Sequence, residues 1–258
     1  MLGALVIAAA AILITRDGDG SAGGGAAKAT TPEAASQQVE VEVDAAAVAE
    51  RPTALRLYER GDPIVWVQKD AEVEVLTEPE GELVRRVGRE TEFGSPTVFA
   101  VERKRGEWAG VLTPYRANGQ LGWVRLDPGA LRAGYTGTSA VVDLGDRTAT
   151  VLNKDGDVVR RFSVTVGAPG TTTPVGRFAV TDTFKGDLNP SYGCCAVALT
   201  AKQPALPSGW LGGNRIAFHG TTGPLGVAAS HGCVRAADDD VEALLRELPL
   251  GARVDVRA

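Results

Sequence analysis

From about Thr53 onward, Gly, Pro, Asp or Asn interrupts the chain roughly every eight to twenty residues, and the apolar runs between them are only about four to six residues long. That rhythm constrains the fold more than any other feature. A segment so short with period-two alternation can bury one face only as a strand, because an amphipathic helix needs several turns to present a stripe. The runs between Thr53 and Asp127 are Leu55-Arg56-Leu57, Ile64-Val65-Trp66-Val67, Val73-Glu74-Val75-Leu76, Val98-Phe99-Ala100-Val101 and Trp108-Ala109-Gly110-Val111-Leu112. They predict a small barrel or sandwich over 52–132. The 32 glycines against 5% aromatic residues fit turns joining short strands better than a helical bundle.

A second series starts near Thr136 and runs to Ala258. Ala140–Leu144, Thr148–Leu152 and Val158–Val166 are β-branched runs, with a turn at Asn153–Gly156, and they predict a sheet. One helix is expected, near the C-terminus. Asp238 or Asp239 would cap it, Val241, Leu244, Leu245 and Leu248 share one face, and Pro249 stops it. A last strand is expected over Ala252–Val256.

Met1 to Ile14 carry no charge, and Arg16, Asp17 and Asp19 follow at once. The stretch has the length of a signal h-region rather than of a spanning helix, which needs about 20 residues. It lacks a basic n-region and a small-x-small cleavage site, so 1–15 is expected to be a signal peptide or a membrane anchor whose start was placed too far downstream. Residues 16–51, rich in Gly, Ala, Thr, Gln and Glu with no aromatic residue, read as a flexible linker. The expectation is an exported protein of the extracytoplasmic cell wall, tethered to the plasma membrane and touching it through that segment alone. A net charge of −5 with no long basic block disfavours nucleic acid as a partner.

Three cysteines occur, Cys194, Cys195 and Cys233, too few for a disulfide scaffold. In an oxidising compartment, pairing Cys194 with Cys195 leaves Cys233 as the free thiol, although a buried reduced role for both of the pair stands beside that arithmetic. The chain holds two histidines, His219 and His231, and both lie within fifteen residues of Cys233. A cysteine nucleophile needs a base, since a free thiol with a pKa of about 8.5 is only slightly ionised near neutrality. His231 precedes Cys233 by two residues, and His219 follows the strand-like run Arg215-Ile216-Ala217-Phe218. Spacing does not choose between them. Gly232 suits a backbone that turns tightly and aims N–H groups at an oxyanion, with the His231, Gly232 and Cys233 amides as donors.

The run Phe218-His219-Gly220-Thr221, the loop Gly223-Pro224-Leu225-Gly226 and the run Ser230-His231-Gly232-Cys233-Val234-Arg235 together resemble the signature of L,D-transpeptidase (YkuD-type) catalytic domains. Val166-Gly167-Ala168 and Thr173-Pro174-Val175-Gly176-Arg177-Phe178 resemble that family's strand and turn entering the site. The resemblance covers 136–258 and implies a β-sandwich with a helix near the site. It implies Cys233 as nucleophile and His219 as general base and acid. Ser230, His231, Gly232 and Arg235 would support the oxyanion and the loop, and Gly220, Thr221 and Tyr192 would contact substrate. His219 lies 14 residues before Cys233, about two fewer than in many members of the family. Trp108–Pro114 followed by Leu121-Gly122-Trp123-Val124, closed at Asn118-Gly119, resembles the last strands of bacterial SH3-like modules, with Trp108 and Trp123 expected in its core.

The reaction so implied is acyl transfer between peptidoglycan stem peptides through a Cys233 thioester, giving 3→3 cross-links, with carbapenem-type β-lactams as inhibitors and no cofactor. Three rivals remain. Water in place of the amine makes an L,D-carboxypeptidase. A wall-binding protein would leave the cysteine idle. A zinc site of His219, His231 and Cys233 has suitable ligand types but no CxxC or HExxH spacing.

Overall fold

The computed structural model describes Leu55, Leu57 and residues 61–186, 188–210 and 213–258. The expected targeting segment at 1–15 and linker at 16–51 lie outside them. Among the described residues no helix is long and apolar enough to cross a membrane.

Seven strands, β1 (Asp62–Val67), β2 (Val73–Leu76), β3 (Leu83–Val87), β4 (Val98–Arg105), β5 (Trp108–Val111), β6 (Gly122–Arg125) and β7 (Leu131–Thr136), form one antiparallel sheet in the order β3-β2-β6-β5-β4-β1-β7. Alternation decides which face is buried. In β2, Val73 and Val75 enter the core while Glu74 is exposed. Val65, Phe99, Val101, Val111, Val124, Leu126 and Leu131 close that core. The predicted strand at Leu55–Leu57 is not seen at its two described residues: Leu55 and Leu57 pack on the core outside any strand, with the Leu55 amide on the Leu126 carbonyl. β3 and β7 lacked a readable alternation, since β3 buries only Val87, and β7 carries the first sheet on to Thr136. Trp123 is buried as expected, whereas Trp108 is half-exposed at the strand end.

Eight further strands make the second sheet: β8 (Thr138–Asp143), β9 (Thr148–Asn153), β10 (Val158–Ser163), β12 (Gly176–Lys185), β13 (Cys195–Lys202), β14 (Arg215–Gly220), β16 (Val234–Ala236) and β17 (Arg253–Arg257), in the order β10-β9-β8-β17-β12-β13-β14-β16. β11 (Val166–Gly167) and β15 (Ala228–Ser230) pair separately and in parallel. The predicted sandwich is therefore corrected. The eight strands form one continuous, nearly closed, barrel-like sheet, because β17 returns to bridge β8 and β12. The predicted run Val158–Val166 is divided into β10 and β11.

The helix α1 (Asp238–Glu247) buries Val241 and Leu244 against the same core as Phe218 and Val197. Its N-cap is Ala237, without a side-chain bond, so neither predicted aspartate caps it. Asp238 instead accepts the Cys194 amide at 3.2 Å, which fastens the helix start to the turn before β13. The two sheets meet at Ala100, Leu112 and Ala179. Arg177 bridges Glu102 of β4 and Asp255 of β17 at 2.9 Å each, and that pairing holds its guanidinium charged.

Candidate active site

Cys233 ends the turn between β15 and β16, and the parallel pairing of β14 with β16 sets Phe218 opposite Val234 and His219 opposite Arg235. The turn therefore presses the thiol onto β14, where Sγ donates to the Arg215 carbonyl at 3.8 Å. Cys233, His219, Arg235, Tyr192, Gln203 and Trp210 line one open cleft.

His219 is only 3% exposed. Its Nδ1 lies 2.8 Å from the Gly220 carbonyl. A carbonyl only accepts, so Nδ1 carries the proton and Nε2 holds the free lone pair. Burial pushes the imidazole pKa down and the Arg235 charge adds to that, while the bond to Gly220 opposes it. Tyr192 packs edge-on against the ring at 4.8 Å, which limits its rotation. Burial pushes the Cys233 thiol up, against a backbone hydrogen bond with Ala217 and the Arg235 charge, which pull it down. Both shifts favour the neutral forms, of the imidazole and of the thiol, in two groups that line the same cleft.

The turn that carries Cys233 is tied at each carbonyl. The Ser230 carbonyl accepts from Thr171 Oγ1 (3.1 Å) and the Ala168 amide (2.8 Å). The His231 carbonyl accepts from Gln203 Nε2 (3.1 Å), which also holds the Thr171 and Thr172 carbonyls at 3.0 and 3.1 Å. The Gly232 carbonyl accepts from Thr173 Oγ1 (2.8 Å), and the Cys233 carbonyl from Ser230 Oγ (2.6 Å). Gly232 has a φ of +113°, and a Cβ there would lie 2.3 Å from Gln203 Nε2, so backbone conformation and space both require glycine. Its amide donates to Ser230 Oγ at 3.1 Å. That removes one of three expected oxyanion donors and leaves the His231 and Cys233 amides.

The remaining sequence candidates separate. His231 is exposed and tilts against Trp210 at 5.0 Å, on the outer wall of the cleft rather than beside His219. The Arg235 backbone exchanges two 2.8 Å bonds with Thr165, and its Nε is buried without a partner among the described residues. Gly220 and Thr221, expected at the substrate, are not among the cleft's lining residues. Gly220 lies behind His219, and Thr221 is spent on a turn, its Oγ1 accepting from the Gly223 amide at 3.0 Å. Tyr192 does line the cleft. Sequence reasoning missed Thr171, Thr173 and Gln203 as supports, and Trp210 as a wall. Trp210 left a signal, an aromatic residue inside the Pro- and Gly-rich run Pro204–Gly213. Gln203 left none. Cys194 and Cys195 are joined as a disulfide, so Cys233 is the free thiol. Among the described residues no group of three or more His, Cys, Asp and Glu side chains is placed to hold a metal ion.

Residues 137–256 match the family model of the YkuD L,D-transpeptidase catalytic domain. Among solved structures, Bd1075 of Bdellovibrio bacteriovorus is similar at 21% identity, over 47% of this chain and 48% of that one, with a TM-score of 0.39. An L,D-transpeptidase from Stackebrandtia nassauensis is similar at 23% identity, over 48% and 57%, with a TM-score of 0.36. L,D-transpeptidase 3 of Mycobacterium tuberculosis is similar at 17% identity, over 54% and 74%, with a TM-score of 0.39. The chain spans about half the length of the first two, 48% and 57%. A comparison with curated proteins finds no match.

Proposed function

We propose that this chain is a peptidoglycan L,D-transpeptidase that forms 3→3 cross-links, with Cys233 as nucleophile and His219 as base. One observation carries the assignment of roles: His219 Nδ1 is committed to the Gly220 carbonyl, so the ring offers Nε2 in the cleft that holds the only free cysteine of the chain. The match of 137–256 to the YkuD L,D-transpeptidase catalytic domain supports peptidoglycan stem peptides as the substrate class.

Nε2 takes the thiol proton as Sγ attacks the carbonyl of the third stem residue, a diamino acid. The peptide C–N bond breaks, the imidazolium returns its proton to the leaving D-alanine amine, and a thioester remains on Cys233. The amine of a neighbouring stem then attacks that thioester and gives up a proton to Nε2, and the thiol is restored. The amides of His231 and Cys233 stabilise the oxyanion in both halves, and Arg235 favours the thiolate. Carbapenem-type β-lactams acylate the same sulfur. The first sheet serves as an SH3-like module, and the uncharged run Met1–Ile14 exports the protein and tethers it at the plasma membrane.

The test is incubation of the full chain, Cys233→Ala and His219→Ala with disaccharide-tetrapeptide muropeptides, read by mass spectrometry. Cross-linked dimers from the wild type alone support the proposal. Tripeptide monomers without dimers assign an L,D-carboxypeptidase, and full activity in Cys233→Ala overturns the mechanism.

A further inference from the structure

The segment 203–214 joins β13 to β14 and supplies Gln203, Leu206, Trp210 and Asn214 to the cleft. Its stem is the pair Lys202–Arg215, followed by the Gln203 amide on the Asn214 carbonyl at 2.7 Å. Two connections of the first sheet reach across and hold both sides of that stem. In the β5–β6 connection, the Asn118 side chain pairs with the Lys202 backbone as a strand would: Nδ2 donates to the carbonyl at 2.7 Å and Oδ1 accepts from the amide at 3.0 Å. Gly119, with a φ of +81°, makes the tip at which Asn118 projects. In the β3–β4 connection, Thr91 Oγ1 donates to Asp182, which is fully buried, and Glu92 faces Arg215 at 3.4 Å.

Arg215 joins this clamp to the chemistry. Its guanidinium donates to the Leu199 carbonyl (2.9 Å) and Thr181 Oγ1 (3.1 Å), and it pairs with Asp182 at 3.4 Å. Its own carbonyl accepts the Cys233 thiol. At the other side of the stem, Lys202 is followed by Gln203, which holds the His231 carbonyl and two carbonyls of the threonine turn. Each side of the clamp is therefore one residue or one bond from the nucleophile's turn.

We infer that the first sheet is a structural part of the active site, in which Asn118 and Arg215 are positioning residues that hold the β13–β14 stem and through it the Cys233 turn. This rests on the reading of Cys233 as nucleophile, but the coupling has a readout that does not. Loosening the stem exposes the sulfur and relieves the burial that holds its thiol protonated, so alkylation quickens while turnover slows.

The experiment compares full-length Asn118→Ala, Arg215→Gln and Arg215→Lys with the wild type, and with Asn153→Ala, which loses side-chain bonds in the distant β9–β10 turn. Cys233 alkylation by iodoacetamide is followed against pH, and muropeptide turnover is separated into kcat and KM. Asn118→Ala and Arg215→Gln should alkylate about threefold faster and lose about tenfold in kcat, in line with the sensitivity of catalysis to sub-ångström displacement. Arg215→Lys should recover part of kcat, and Asn153→Ala should match the wild type. Wild-type alkylation and kcat in both Asn118→Ala and Arg215→Gln would overturn the inference, and if Arg215→Gln does not fold, Asn118→Ala decides alone. Full activity in Cys233→Ala would sink the proposed function, while the alkylation arm would still decide the coupling.

Discussion

The two walls of the cleft are built differently. On one side, the four carbonyls of Ser230 to Cys233 each accept a hydrogen bond, from Thr171, Ala168, Gln203, Thr173 and Ser230, and three of these side chains are buried: Thr173, Gln203 and Ser230. On the other, the 203–214 segment is secured at its stem and at Gln203, and beyond that Trp210 is exposed, its Nε1 bonded only within the segment, to the Gly213 carbonyl at 3.1 Å. The contrast follows from what each side must do. A nucleophile works only when its angle of attack is fixed, and a turn with a left-handed glycine stays in place only if its polar groups are spoken for. Among the described residues, the side that carries Trp210 has no such network of bonds to hold it.

The largest way to break that comparison is Gly232→Ala. The methyl group meets Gln203 Nε2 at 2.3 Å and the φ of +113° disfavours any L side chain, so the turn must shift. A loss of about 10²-fold in kcat is expected from steady-state kinetics. Thr173→Val comes next: it keeps the shape but leaves the Gly232 carbonyl and the Gly167 amide without their partner. Denaturant unfolding should report a loss of about 1–3 kcal/mol of stability. Arg235→Gln sharpens the electrostatic side. The Arg235 charge lowers the Cys233 pKa, so its removal leaves burial less opposed and moves the pH profile of iodoacetamide alkylation to higher pH. The same charge depresses His219, whose imidazole should then titrate at higher pH by NMR. Trp210→Ala should have the smallest effect, a few-fold rise in KM for the acceptor with Cys233 alkylation unchanged. A large fall in kcat there would mean that the two walls are not mechanically distinct.

Much of the fold was legible because it depended on local alternation. Val73-Glu74-Val75 reads as a half-buried strand wherever it lies, and the cluster of Val241, Leu244 and Leu248 reads as one helical face. Strands without alternation were not legible. β13, Cys195–Lys202, is buried along nearly its whole length because both of its faces are covered, and it therefore carries no period of two. Asp238 was misread as a cap for a related reason, since its partner, the Cys194 amide, comes from the remote turn before β13.

By itself, the amino-acid sequence determined a mainly β chain, one C-terminal helix and one cysteine apart from the adjacent pair, with the only two histidines within fifteen residues before it, because strand period, helix period and residue chemistry are local properties. It left the choice of base to resemblance, as both imidazoles are near Cys233 along the chain. Tertiary structure decided the rest: parallel pairing of β14 with β16 brings His219 into the cleft, His231 turns outward onto Trp210, and side chains as distant in sequence as Thr173 and Gln203 hold the turn. Those contacts rest on register and on hydrogen bonds between remote segments, and no periodicity along the chain encodes them.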